Sequence, residues 1–238
     1  DMIRVGEWIV VPNTPANGSG LDISLTAVKV RNWDNTIVTV PPYTLVSTSF
    51  QNYRGMSESG ARRIDKTLLI DTRSVMRLTP DQVDSIAGKF PELKQFVSKL
   101  RDSGQTAQFD GGMTPINGTI DTNLGLFRAY VSLYVFNSPH ISKQQQILIR
   151  ITDPTPNGLP LDIYCFTNTT DWDKYEAIQS ALLEHITTAC NDFNLAIYTS
   201  SSLTIGQADP EDPTLSKITA ATQEQDAPGA PGSTPSTT

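Results

Sequence analysis

The sequence predicts an α+β chain in three parts. A small antiparallel β barrel or sandwich occupies residues 1–60. An α/β sandwich follows over 61–205, with an insertion at about 105–144, and a disordered tail runs over 206–238. Three observations lead there. The first sixty residues hold only short apolar runs broken by turn residues. After them, helical and strand patterns follow in the order strand, helix, strand, strand, helix, strand. From Gly206 onward large apolar residues all but vanish while Pro, Ala, Ser and Thr accumulate, a composition that cannot bury enough surface to fold.

In the first part, Trp8–Val11 reads as a strand, "NTPANGSG" as a loop and Leu21–Arg31 as a second strand. Trp33-Asp34-Asn35 then supplies side chains that bond neighbouring backbone and tolerate a left-handed residue, so a tight turn is expected. Ile37, Val38 and Val40, with Thr36 and Thr39 interleaved, form the returning arm of a hairpin. Pro41 and Pro42 remove two ladder donors and end it. The chain is expected to turn there into a further strand, Val46–Phe50.

In the second part, "RRIDKTLLID" (62–71) is a strand. Thr79-Pro80-Asp81 opens a helix, with Val83, Ile86, Ala87 and Phe90 on one face. Pro91 breaks it, and Leu93, Phe96, Val97 and Leu100 resume the face until Ser103-Gly104. "QQILIRITD" (145–153) and "LPLDIYCFTN" (159–168) are strands around a "PTPNG" hairpin loop. Asp171 caps a long helix with Tyr175, Ile178, Leu182, Ile186, Ala189 and Phe193 inside, and "LAIYT" (195–199) closes as a strand. This order is the split βαβ arrangement of a ferredoxin-like sandwich. Residues 105–144 are left over: a glycine-rich stretch, then a helix with Leu124, Phe127, Tyr130, Val131 and Tyr134 on one face, read as an insertion packed on the sandwich.

Function classes narrow mainly by exclusion. With a net charge of −7, the chain lacks the broad basic face that grips nucleic acid. The acidic residues Asp209, Glu211, Asp212, Glu224 and Asp226 stand against Lys217 alone in the tail, leaving the body nearly balanced. No apolar run approaches the ~18–20 residues that span a bilayer. The chain begins at Asp1 with neither an initiator Met nor a basic-then-apolar leader, the expectation for a piece of a longer protein. Cys165 and Cys190 sit inside apolar patterns and read as buried free thiols. His140 and His185 are too far apart to suggest a metal site, and His185 reads as a hydrogen-bonded structural histidine. "DTNLG" (121–125) opens like a calcium loop, but Ser132 stands where the bidentate Glu belongs. Arg62-Arg63 suits an anion but also a solvated strand start. No catalytic group, cofactor or metal is expected, and the chain is not read as an enzyme.

The stretches "IRVGEWIVVP", "GLDISLTAVKVRNWDNTIVTVPPYTLVSTSFQNYRGMSESGARRI" and "NGLPLDIYCFTNTTDWDKYEAIQSALLEHI" resemble the soluble region of the small-conductance mechanosensitive channel (MscS) superfamily. More specifically, they resemble its miniconductance, YbdG-like branch. The resemblance spans residues 1 to about 200. It implies an Sm/SH3-like barrel below a pore-lining helix, and an α/β domain that helps enclose a cytoplasmic vestibule. It further implies a homoheptamer of a bacterial inner-membrane channel that releases solutes on hypoosmotic shock, with its membrane helices upstream of Asp1 and no nucleic-acid partner. Within it, Trp33, Asp34, Pro41, Pro42, Arg62, Arg63 and Trp172 are the residues expected to matter structurally. Where the family commonly has Pro-Asn, this chain has Pro41-Pro42, which keeps the strand stop and loses the Asn side chain. The rival expectation is a soluble scaffold or ligand-binding module using the 105–144 insertion.

Overall fold

The computed structural model describes residues 2–103 and 120–199. The tail at 206–238 and the glycine-rich start of the expected insertion lie outside them. Two antiparallel sheets organise the chain.

The first sheet has five strands in the order β4-β3-β2-β1-β5: β1 (Trp8–Val10), β2 (Asn17–Ile23), β3 (Val28–Asn32), β4 (Ile37–Val40) and β5 (Gln51–Asn52). Ile9, Val11, Ala16, Val28, Val30, Val40 and Leu45 form its core. The β3–β4 hairpin forms as expected: Asp34 accepts from the Thr36 N–H at 3.0 Å and Asn35 takes a positive φ of 66°. Two expectations fail. The strand expected at Leu21–Arg31 is two strands folded about a Ser24–Ala27 turn, closed by the Ser24 N–H on the Ala27 carbonyl at 2.9 Å. The first of them, β2, begins inside the expected loop, because Gly18 lets the strands approach. A Cβ there would stand 1.9 Å from the Arg31 carbonyl oxygen. The second failure is at Val46–Phe50, which is not a strand. Pro41 occupies the N-cap and Pro42 the first turn of a short helix, α1 (Pro42–Ser47), which buries Leu45 and leaves Val46 outside. A proline that stops a ladder also starts a helix well, since its missing N–H would be unpaired there anyway.

A second short helix, α2 (Arg54–Ser59), ends at Gly60 with φ 63°, and leads into the second sheet. That sheet comprises β6 (Arg62–Ile70), β7 (Leu148–Ile151) and β8 (Leu159–Thr167) in the order β6-β8-β7. Leu195–Tyr198 runs along the outer edge of β6 through one bridge, Ile70 to Ile197, and hydrogen bonds from the Asp71 and Tyr198 N–H groups. The order is that of a ferredoxin-like sandwich, with the expected last strand reduced to this bridge. Gly158, at φ 118°, passes so close to the Ile70 carbonyl that a Cβ would lie 2.5 Å from it.

Among the described residues this part also holds α3 (Pro80–Ala87), α4 (Pro91–Ser103), α5 (Asn123–Asn137) and α6 (Trp172–Ala189). Thr79 and Gln82 form a capping box on α3, and Pro91 restarts the helix as α4. Asp171 caps α6 by accepting from the N–H groups of Asp173 and Lys174. The expected helix in the 105–144 stretch is α5, but its burial exceeds one face. Leu126, Phe127, Ala129, Val131 and Val135 are all fully buried, and it packs against β7, α4 and the 3-10 turn at Cys190–Phe193. It is central to the larger core, to which α3 adds Val83, Ile86 and Ala87 and α4 adds Leu93, Phe96 and Val97.

Candidate functional site

The most elaborate side-chain cluster gathers all three tryptophans of the chain around one arginine. Trp8 on β1 stacks on Tyr53 at 3.8 Å and meets Trp33 edge-on at 5.3 Å. Trp33, from the β3–β4 turn, lies 6.4 Å from Trp172 at the start of α6. The Asn17 carboxamide oxygen accepts from both the Trp8 and Trp33 indole N–H groups, at 2.9 and 3.3 Å. Arg62 sits over the rings of Trp172 (4.3 Å), Tyr175 (4.2 Å) and Trp8 (5.6 Å).

Local sequence explains the convergence. Arg62 pairs with Thr167 across β6 and β8, so the end of β8 and the Asp171-capped start of α6 rise beside it. On the other side, Tyr53 follows β5, gives its N–H to the Trp8 carbonyl at 2.9 Å, and hands the chain through α2 to Arg62. The Tyr175 hydroxyl donates to the Arg63 carbonyl at 2.9 Å, fixing α6 on β6. Burial raises the Tyr175 pKa, and the Arg62 charge offsets this in part.

Beside the cluster lies an ion pair. Glu7 accepts from the Arg54 guanidinium through both carboxylate oxygens, from Asn52 Nδ2 at 2.8 Å and from the Arg4 N–H at 2.9 Å. These bonds, the Arg54 one foremost, hold the Glu7 pKa down at about 2. Glu7 thereby ties β1 to the start of α2.

Two cavities flank Arg62. One, of about 570 Å3, is lined by Trp8, Trp33, Met56, Thr170 and Trp172 as well as Arg62. The other, of about 710 Å3, lies on the side of Tyr53, Arg63, Phe166 and Tyr175.

Of the seven residues singled out from sequence, the structure brings Trp33, Arg62 and Trp172 together. Asp34 lies next to Trp33 in the turn, where it accepts from the Thr36 hydroxyl at 2.7 Å. Arg63 points to an exposed contact with Asp65 at 3.7 Å and to the Tyr164 ring. Pro41 and Pro42 stand apart, at the β4–α1 junction. Sequence reasoning missed Trp8, Tyr53, Glu7 and Arg54 as site residues. Nothing local marks the Glu7–Arg54 pair, whose members are 47 positions apart.

His185 is hydrogen-bonded, its Nε2 2.6 Å from the Tyr130 hydroxyl, with its ring stacked on Tyr134. Cys165 and Cys190 are buried and free, and burial pushes their thiols up to about 12 and about 11. Among the described residues no cluster of metal-ligating side chains is present, and no helix is long and apolar enough to cross a membrane.

A five-stranded antiparallel barrel-type sheet followed by a ferredoxin-like sandwich defines a two-sheet α+β class. Residues 1–55 match the beta-domain of the mechanosensitive ion channel family, and residues 114–197 match the MscS C-terminal region of the same family. The chain belongs to the MscS superfamily of mechanosensitive ion channels. Among solved structures it is similar to Helicobacter pylori MscS in its closed state, at 13% identity and a TM-score of 0.51, over 87% of this chain and 60% of that one. It is also similar to Arabidopsis thaliana MSL1, at 11% identity and a TM-score of 0.51, over 83% of this chain and 53% of that one. At these identities the likeness concerns the fold. The chain spans a little over half the length of these relatives.

Proposed function

We propose that this chain is the cytoplasmic vestibule portion of a bacterial inner-membrane mechanosensitive channel that releases solutes on hypoosmotic shock. Within the superfamily we assign it to the miniconductance, YbdG-like branch. The observation that carries this reading is the pair of family matches, in family order, on one chain. Bilayer tension favours the wider conformer of membrane helices upstream of Asp1 by its area difference, a population shift between two states. The barrel and sandwich supply subunit contacts in a homoheptamer and a coarse sieve at the vestibule openings. Since the body is nearly charge-balanced, that sieve is steric, and screening over about 8 Å at physiological ionic strength weakens any residual field.

In domain terms, we assign residues 1–60 to the β domain and 61–205 to the α/β domain, with 206–238 as a C-terminal tail. The family match from residue 114 includes α5 and omits α3 and α4, which supports α3–α4 as the segment added to the family plan. Trp33, Arg62 and Trp172 brace the two sheets against each other, with Asp34 and Arg63 at the edges of that brace, while Pro41 and Pro42 shape the β4 edge. The test is electrical and osmotic. The parent gene is expressed in a bacterial host stripped of its own tension-gated channels, then assayed by patch clamp and by survival of dilution shock. Tension-activated currents and rescued survival are expected, and silence up to lytic tension overturns the reading. Mass measurement of the detergent-solubilised protein should give seven copies, and a monodisperse monomer refutes the assembly.

A further inference from the structure

The groove between Trp33 and Trp172 has a charge character that bracing alone does not require. Across both cavities flanking Arg62, the charged lining residues are Arg62 and Arg63; no carboxylate lines either one. This occurs in a chain with 25 acidic residues against 18 basic ones. Arg62 is partly buried and has no carboxylate partner among the described residues, whereas Arg54, Arg63, Arg73, Arg101 and Arg150 each have one. Its guanidinium lies over ring faces and is hydrogen-bonded to the Tyr175 side chain, and a guanidinium stacked on rings keeps further in-plane N–H donors for an anion. Beside it, Trp33 and Trp172 are 57% and 52% exposed, although indole is among the side chains that gain most from cover. The groove's volume of about 570 Å3 falls in the range of small-molecule sites.

We propose that this groove binds a small aromatic anion, with the flat body on the indole faces of Trp33 and Trp172 and the carboxylate or phosphate on Arg62. Rings stack on tryptophan whatever their substituents, and an arginine fork takes either anionic head, so both halves of the ligand are recognised by groups already in place. The Asn17 bond to the Trp33 indole N–H holds that half of the platform ready, which lowers the ordering cost of binding.

The three tryptophans give three indole N–H resonances, each a reporter on the groove. The 15N-labelled full chain is titrated separately with adenosine monophosphate, indole-3-acetate, adenosine and inorganic phosphate, with calorimetry in parallel. Saturable shifts of the indole resonances are expected with one or both aromatic anions, and which of the two binds identifies the head group. Arg62→Gln is expected to weaken binding about tenfold or more. Trp33→Leu, at a turn position 57% exposed and with its fold checked by circular dichroism, should weaken it severalfold, while Arg150→Gln should leave it unchanged. The proposal is overturned if neither aromatic anion shifts the indoles at 10 mM, on the order of the weakest affinity of interest. It is overturned equally if phosphate or adenosine alone binds as tightly, or if Trp33→Leu binds like the parent.

Discussion

Asn123 is the buried polar residue with the most to lose. Its carboxamide oxygen accepts from the Met76 N–H and the Leu124 N–H, both at 2.9 Å, and its nitrogen faces the carbonyls of Ser74 (2.9 Å), Phe193 (3.2 Å) and Asn194 (3.4 Å). One side chain thus joins the loop before α3, the start of α5 and the turn after α6. In Asn123→Ala the Met76 N–H and Ser74 carbonyl lose these partners at about 1–3 kcal/mol per unsatisfied group, so with some relief from water the expected cost is about 2–4 kcal/mol. For a chain of this size each kcal/mol lowers Tm by about 2–4 °C, giving about 4–16 °C by differential scanning calorimetry. Asn123→Asp sharpens the test, because it keeps the shape but sets a carboxylate against three carbonyls. Burial and those carbonyls raise its folded pKa above the unfolded value of about 3.9, so the folded state holds the proton more tightly. Its destabilisation is therefore smallest near pH 4 and grows as pH rises through the folded pKa. An alanine variant melting within about 2 °C of the parent, or an aspartate variant whose deficit is the same at pH 4 and pH 8, would refute the reasoning.

Three further outcomes follow from the geometry. Because Glu7 falls to about 2 in the folded chain from an ordinary 4.5, its stabilisation is complete above about pH 4.5 and lost as pH drops towards 2; Glu7→Gln should flatten that part of an acid-unfolding curve. Gly18→Ala should cost about 1–3 kcal/mol in chemical denaturation, since its Cβ would collide with the Arg31 carbonyl and force β2 and β3 apart. With thiols pushed to about 12 and about 11, Cys165 and Cys190 should react with a disulfide reagent at pH 8 about a hundredfold or more slowly in the native chain than in denaturant.

Local chemistry made several elements legible. Thr79-Pro80, Pro91 and Asp171 each act on the backbone within one helical turn, and the α3 start, the α3–α4 break and the α6 start follow them. The errors came where a residue serves two roles. Pro42 ends a ladder and also opens a helix, and the sequence reading took only the first. Gly18 looked like loop and is a strand residue chosen for close approach. The helix α5 was read by its periodicity as covered on one face, but it is apolar nearly all round because sheet, α4 and the Cys190–Phe193 turn enclose it. In the candidate site, Arg62, Trp33 and Trp172 stood out by residue type. Their meeting with Trp8 depends on contacts across the two sheets that no spacing rule encodes. Asn123 passed unnoticed inside a rejected calcium motif, since a buried amide's value lies in partners from 47 to 71 positions away.

The pairing of β6 with β8 carries a timing problem for the ribosome. Arg62 finds its partner only at Thr167 and Ile70 only at Leu159, so β6, an outer strand of the β6-β8-β7 sheet, is made roughly a hundred residues before the strand that pairs with it. At about 5–20 residues per second, β6 waits some 5–20 seconds with Ile64, Leu68 and Ile70 unpaired. During that interval the charged residues Arg62, Arg63, Asp65 and Lys66 along the same strand are what discourage it from joining a neighbouring nascent chain.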